Sequence, residues 1–172
     1  MDLLRNEVQI QENNLVTTLK EYRKEFIISL DLKLTSIVND WTSVIHFTIG
    51  ENIGRYGDRI PAILIWQGNL HIRTAANGNN DYTYIGGMLT IGKWISIKVQ
   101  QIKESDASYN YSIIINGKLV HSVTNTIPED FNNVKLYAAD PWHIPQPGFI
   151  KNFIVYRKYD GSFYFFKEHS IL

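Results

Sequence analysis

The clearest binding chemistry in this sequence lies in one short stretch, "AILIWQGNLHIRT", which holds Trp66, His71 and Arg73. Gly68-Asn69 has the composition of a two-residue hairpin turn between two apolar runs. That turn pairs Trp66 with His71, Ile65 with Ile72 and Leu64 with Arg73. Ile65 and Ile72 then face a core, and Trp66, His71 and Arg73 share the opposite face. A tryptophan beside two nitrogen donors can stack on a sugar ring and hydrogen-bond its hydroxyls. Alternatively, a loop or a partner subunit covers this face, or Trp66 packs on a neighbouring strand. Tyr82 and Tyr84 of "DYTYI" join the three as candidate ligand contacts.

A second chemistry is calcium binding. "GENIGRYGDR" contributes Asp58, and "NGNNDY" contributes Asn80 and Asp81. Calcium takes about six to eight oxygens, many of them loop carbonyls. Asn- and Gly-rich stretches are equally the material of ordinary hairpin turns. Calcium is therefore an option and no cofactor is required. His46, His71, His121, His143 and His169 are scattered, with no helical i,i+4 pair and no strand i,i+2 pair for a metal. G-x-S-x-G, G-x-G-x-x-G and the P-loop are all missing. The chain has no cysteine, which removes disulfides and thiol catalysis.

The elements that must position these residues are strands. In "FIISLDLKL", Phe26, Ile28, Leu30, Leu32 and Leu34 alternate with Ser29, Asp31 and Lys33. "WISIKVQQ" repeats the pattern with Ile95, Ile97 and Val99, and "FIKNFIVYR" groups Phe149, Phe153 and Val155. "SVIHFTIG", "YSIII", "LVHSV" and "VKLYA" are further short candidates. Asn116-Gly117 in "IIINGKLV" is the strongest turn signal. Helical patterning is weak: "KEYRKEF" could form a short helix and "PEDFNN" a 3₁₀ turn. With 172 residues and 44% hydrophobic content, the chain can bury the core of one domain, 1–172, with 158–172 as a C-terminal extension. Frequent short strands imply an all-β antiparallel sandwich or barrel, and the size suits a jelly-roll sandwich larger than the roughly 100 residues of an immunoglobulin domain.

Basic and acidic residues balance at 17 each, so there is no electrostatic footprint for nucleic acid. No apolar run reaches the ~20 residues of a membrane span. "MDLLRNEVQIQ" lacks the basic and apolar regions of a secretory leader.

Taken in order, "EFIISLDLKL", "GNLHIRT", "GKWISIKVQQ", "YSIIINGKLV" and "VKLYAADPW…GFIKNFIVY" resemble the laminin-G-like and pentraxin-like branch of the concanavalin A-like jelly rolls. The resemblance covers roughly residues 12–157. It implies a jelly-roll β-sandwich whose relatives include lectins, glycoside hydrolases and adhesion modules. From it follow an extracellular placement and a non-catalytic recognition role for a glycan or protein partner. The hydrolases of this group carry alternating carboxylates on one strand. The nearest match here, Glu104 and Asp106 in "KESDASY", lacks the third carboxylate and has the composition of a polar turn. A glycoside hydrolase with an atypical carboxylate pair, or a structural oligomerisation domain, are the alternatives.

Two C-terminal features remain. Pro141, Pro145 and Pro147 stop any central strand, so "AADPWHIPQPG" is expected to be a corner with Trp142 plugging the sandwich end. Beyond it, Tyr159, Phe163, Tyr164, Phe165 and Phe166 are too apolar for a free tail. Asp160-Gly161 suggests a hairpin there, and residues 159–168 are expected to mediate self-association into a homo-oligomer or docking to a neighbouring domain.

Overall fold

The structure is a computed structural model that describes residues 2–4, 6–159 and 162–165, with side chains described over 6–156. Its strands are β1 (Asp2–Leu4), β2 (Val8–Gln9), β3 (Leu15–Tyr22), β4 (Phe26–Leu34), β5 (Trp41–Thr48), β6 (Ala62–Trp66), β7 (Asn69–Ala76) and β8 (Asn79–Met88). They continue with β9 (Trp94–Ser105), β10 (Ser108–Ile115), β11 (Lys118–Asn125), β12 (Phe131–Tyr137), β13 (Ile144–Pro145), β14 (Gly148–Tyr159) and β15 (Ser162–Phe165). No helix occurs among the described residues. "KEYRKEF" forms the end of β3, a turn and the start of β4, and "PEDFNN" runs straight into β12. Phe26 and Tyr22 belong to the core, and that burial outweighs weak helical propensity.

Two sheets form the sandwich. Sheet I runs β1-β14-β4-β9-β10-β11, with β2 and β15 also on β14. Sheet II runs β3-β12-β5-β6-β7-β8, with β13 on β5. Every pairing is antiparallel except β13 on β5. The interior is built by period-2 alternation. Phe26, Ile28, Leu30, Leu32 and Leu34 of β4 are no more than 5% exposed. Across the gap lie Phe47, Ile63, Ile65, Leu70, Ile72, Val134 and Leu136. Phe47 meets Phe153 of sheet I edge-on at 6.5 Å, and Tyr22 sits between Phe26 and Phe47 at 5.1 and 5.6 Å. Each such side chain contributes about 1.5–3 kcal/mol by leaving water.

The β14 strand departs from simple alternation. Asn152 takes φ 50°, and the register on β4 shifts between Lys151 and Ile154. This bulge inverts the parity of the strand. Ile150, Phe153 and Val155 therefore point inward, while Phe149 stays half-exposed on the outside. Gly148 opens the strand where a Cβ would collide with the Lys33 carbonyl, so no side chain fits there. At its far end β14 pairs with β15, with Tyr156 opposite Phe165 and Tyr159 opposite Ser162. Residues 160, 161 and 166–168 of the expected tail interface lie outside the described residues.

The corner at "AADPWHIPQPG" is held by polar groups. Asp140 is fully buried. Its Oδ1 accepts the amides of Trp142 and His143 at 3.0 and 2.9 Å, and its Oδ2 takes His46 Nδ1 at 2.7 Å. Gln146, also fully buried, accepts Thr42 Oγ1 at 2.6 Å and donates to the carbonyls of Ser36 and Pro147. Trp142 does not plug the space between the sheets. It lies half-buried on His46 and Tyr137, at 5.3 and 6.1 Å between ring centres. His46 pairs with Ala62 on the outer side of sheet II, while its neighbour Ile45 pairs with Ile63 in the core. The corner thus folds over the outer face of sheet II, which explains why β5 is buried on both sides beyond Trp41.

Candidate ligand-binding site

The β6–β7 turn is Gln67-Gly68, one residue earlier than the Gly68-Asn69 expected. Both residues have positive φ, 49° and 81°, the signature of a type I′ turn. Gln67 is anchored there by donating from Nε2 to Asn39 Oδ1 at 2.6 Å. The pairing becomes Trp66 with Asn69, Leu64 with His71 and Ala62 with Arg73. The slip spans two residues in register, so side-chain parity is kept. Trp66, His71 and Arg73 do share the outer face of sheet II.

The residue that joins them is Trp41, at the start of β5. It pairs with Trp66, and the two rings lie 5.0 Å apart. The edge of His71 meets Trp41 at 4.7 Å, and the Arg73 guanidinium lies 4.8 Å from the centre of the same ring. Both tryptophans are half-buried, while His71 is only 6% exposed. The three share the outer face as expected, but Trp41 covers the two nitrogen-bearing side chains there. The β5 candidate begins at Ser43 in the sequence and omits Trp41, and simple alternation back from Phe47 and Ile45 would have put Trp41 on the core face. The register irregularity between Ser43 and Ile45 turns it outward.

An ion cluster flanks the rings. Asp81 offers one carboxylate oxygen to Arg73 Nη1 and the other to Arg59 Nη1, each at 2.5 Å. Arg59 is held further by Asn52, through its carbonyl at 3.1 Å and its side-chain oxygen at 3.0 Å. Two guanidiniums thus share one carboxylate. Burial lowers the pKa of Arg73, the Asp81 carboxylate opposes that effect, and the Arg59 charge adds to it. Burial also lowers the pKa of His71, with the Arg73 charge acting in the same direction. Two buried polar atoms in this group lack a hydrogen-bond partner among the described residues: His71 Nδ1 and Arg73 Nε. Buried groups of this kind are normally paired, so an unpaired set beside an aromatic platform marks a place where a ligand's polar atoms would be complementary.

Tyr82 and Tyr84 are not part of this group. They pair with Thr74 and Ile72, whose side chains face the interior. Tyr82 Oη meets His121 Nε2 at 2.9 Å, and the Tyr84 ring lies 5.5 Å from that imidazole. Together they close the open side of the sandwich between β8 and β11. The calcium candidates also separate. Asp58 is buried, and its carboxylate accepts the Arg55 amide at 2.8 Å and faces the Arg55 guanidinium at 3.4 Å. Asp81 gives both oxygens to arginines, and Asn80 lies half-buried in β8. No group of three or more His, Cys, Asp or Glu side chains suited to a metal occurs among the described residues. Glu104 and Asp106 flank the exposed β9–β10 turn, bonded to Asn110 and Lys103 respectively.

No family model matches the chain, and no curated protein does. Solved structures do match. The native heptameric SAP-like pentraxin from Limulus polyphemus superposes with a TM-score of 0.58 at 9% identity, over 90% of this chain and 77% of that one. The CBM40 of the Ruminococcus gnavus IT-sialidase, solved with α2,3-sialyllactose, gives 0.54 at 14% identity, over 88% and 91%. The receptor-binding domain of botulinum neurotoxin D gives 0.54 at 15% identity, over 88% of this chain and 39% of that one. These likenesses establish the fold, a jelly-roll β-sandwich.

Proposed function

We propose that this domain is a non-catalytic, extracellular recognition module that binds a glycan on the outer face of sheet II. The observation that carries the proposal is the pairing of the Trp41 and Trp66 rings with the unpartnered His71 Nδ1 and Arg73 Nε. Aromatic faces stack on the apolar faces of sugar rings, and fixed nitrogen groups select among hydroxyl and carboxyl positions. The fold neighbours support it, since one is a carbohydrate-binding module solved with a sialylated trisaccharide and another is a receptor-binding domain. Binding without turnover is favoured because Glu104 and Asp106 sit on a solvated turn away from the rings. Calcium is not needed for this mode of binding, because arginines already engage the Asp58 and Asp81 carboxylates. A glycan array probed with the purified chain, with and without EDTA, tests this. The expected result is a defined set of glycans bound equally in both conditions. Binding of none, or release of reducing sugar from the bound ones, would contradict it.

A further inference from the structure

The charges on the outer face of sheet II do not balance. Arg59, with its side chain 5% exposed, and Arg73, at 19%, share the single carboxylate of Asp81. Among the described residues this leaves one guanidinium charge without a carboxylate of its own in a partly buried setting, which is costly unless a counter-charge arrives. Arg73 spends Nη1 on Asp81, while its Nε–H, on a different edge of the guanidinium, has no partner. That edge of a guanidinium has the fork geometry that receives a carboxylate. His71, more than nine-tenths buried, adds an unpartnered Nδ1 on the same face. Trp41 touches both side chains, 4.7 Å from the imidazole and 4.8 Å from the guanidinium carbon.

We propose that Arg73 and His71 form a carboxylate subsite under Trp41, so that the glycan bound on this face is an acidic sugar. This rests on the glycan-binding reading above and names its ligand class. Arg73 Nε–H donates to the sugar carboxylate, and His71 Nδ1 bonds the same group or the adjoining hydroxyl. Trp41 swings off the subsite to admit the ligand and then packs against the sugar ring, with Trp66 beside it. A carboxylate is favoured over a neutral hydroxyl because it supplies both the missing acceptor and the missing negative charge.

The experiment is calorimetric titration of the parent chain with sialyllactose and with a galacturonate oligomer, each compared with its carboxyl methyl ester. The ester keeps the shape and removes the charge, so no variant has to fold for the comparison to be made. The expected result is at least a tenfold loss of affinity on esterification for one of the two acids, and which acid shows it identifies the sugar. Arg73→Lys, which keeps the charge but removes the fork, is expected to abolish most of that preference. Trp41 fluorescence, read as the difference between the parent and a Trp41→Phe variant, is expected to change on binding of the free acid. Equal affinity for acid and ester overturns the carboxylate subsite while leaving glycan binding intact. Failure of both acids and of every array glycan overturns the glycan reading and this proposal together.

Discussion

Each sheet of this sandwich presents tryptophan and cationic side chains on its outer face, yet the two faces differ in kind. On sheet I, Phe149, Lys33 and Trp94 form a cross-strand row. Lys33 Nζ lies 4.6 Å from the centre of the Trp94 ring and Lys151 Nζ lies 4.2 Å from it. Lys33 also reaches Glu7 at 2.7 Å. Its 21% exposure is close to the 19% of Arg73, so the faces differ in the exposed partner Glu7, at 43%, on sheet I and in the buried Arg59, at 5%, on sheet II. Flexible ammonium groups of this sort stay hydrated and contribute about 0.5–1 kcal/mol each through the ring. On sheet II the cations are arginines, locked by Asp81 and Asn52, and the polar atoms beneath Trp41 lack partners. The difference teaches that composition alone does not make a site. Fixed, poorly hydrated donors next to an aromatic surface do, because their interactions with a ligand are not diluted by water.

Substitutions can break that contrast. Asp81→Ala leaves two guanidiniums facing each other, and the expected loss in chemical denaturation is about 3 kcal/mol. Its counterpart on sheet I, Glu7→Ala, is expected to cost no more than about 0.5 kcal/mol. If the two losses match, the sheet II cluster is as solvated as the Lys33 pair. Trp142→Ala is expected to cost about 2 kcal/mol, below the usual range for a core tryptophan because the ring is half-exposed on His46.

Asp140 gives a pH test of the corner bordering this face. Burial alone would raise its pKa, but hydrogen bonds from His143 and His46 and their charges prevail and hold it far below the ordinary carboxylate range. A depressed folded-state pKa contributes stability that is complete above the unfolded value of about 3.9 and is lost as pH falls below it. Denaturation midpoints followed from pH 6 to pH 2 are therefore expected to fall steeply below about pH 4. In Asp140→Asn, the curve starts lower and is flatter over that window. The smallest effect concerns assembly. Deleting residues 159–172 is expected to reduce the mass seen by light scattering to that of a monomer. A parent that is already monomeric at high concentration would remove the role of the tail in self-association.

Much of the sandwich was legible because period-2 patterning is imposed by a two-sided sheet: β4, β9 and the Asn116-Gly117 hairpin follow the sequence closely. The misses have local causes. One positive-φ residue, Asn152, reversed the faces of β14, and asparagine alone does not announce a bulge. The Gln67-Gly68 turn was displaced because glutamine is an unusual left-handed residue, and a tertiary bond to Asn39 holds it. At the site, parity placed Trp66, His71 and Arg73 together even with the turn misplaced. Trp41, Arg59 and the role of Asp81 came from long-range pairings that no local pattern encodes. Trp142 was identified as architectural, but its direction depended on His46, far away in sequence.

The most direct test of the central claim is a paired measurement: calorimetric affinity of an array-selected glycan for Trp66→Ala and for Trp94→Ala. Trp66→Ala is expected to bind at least about tenfold more weakly, a loss of roughly 1.4 kcal/mol, when measured at a temperature where the variant remains folded. Trp94→Ala is expected to bind like the parent. Unchanged affinity in Trp66→Ala together with a loss in Trp94→Ala would place the ligand on sheet I and contradict the account.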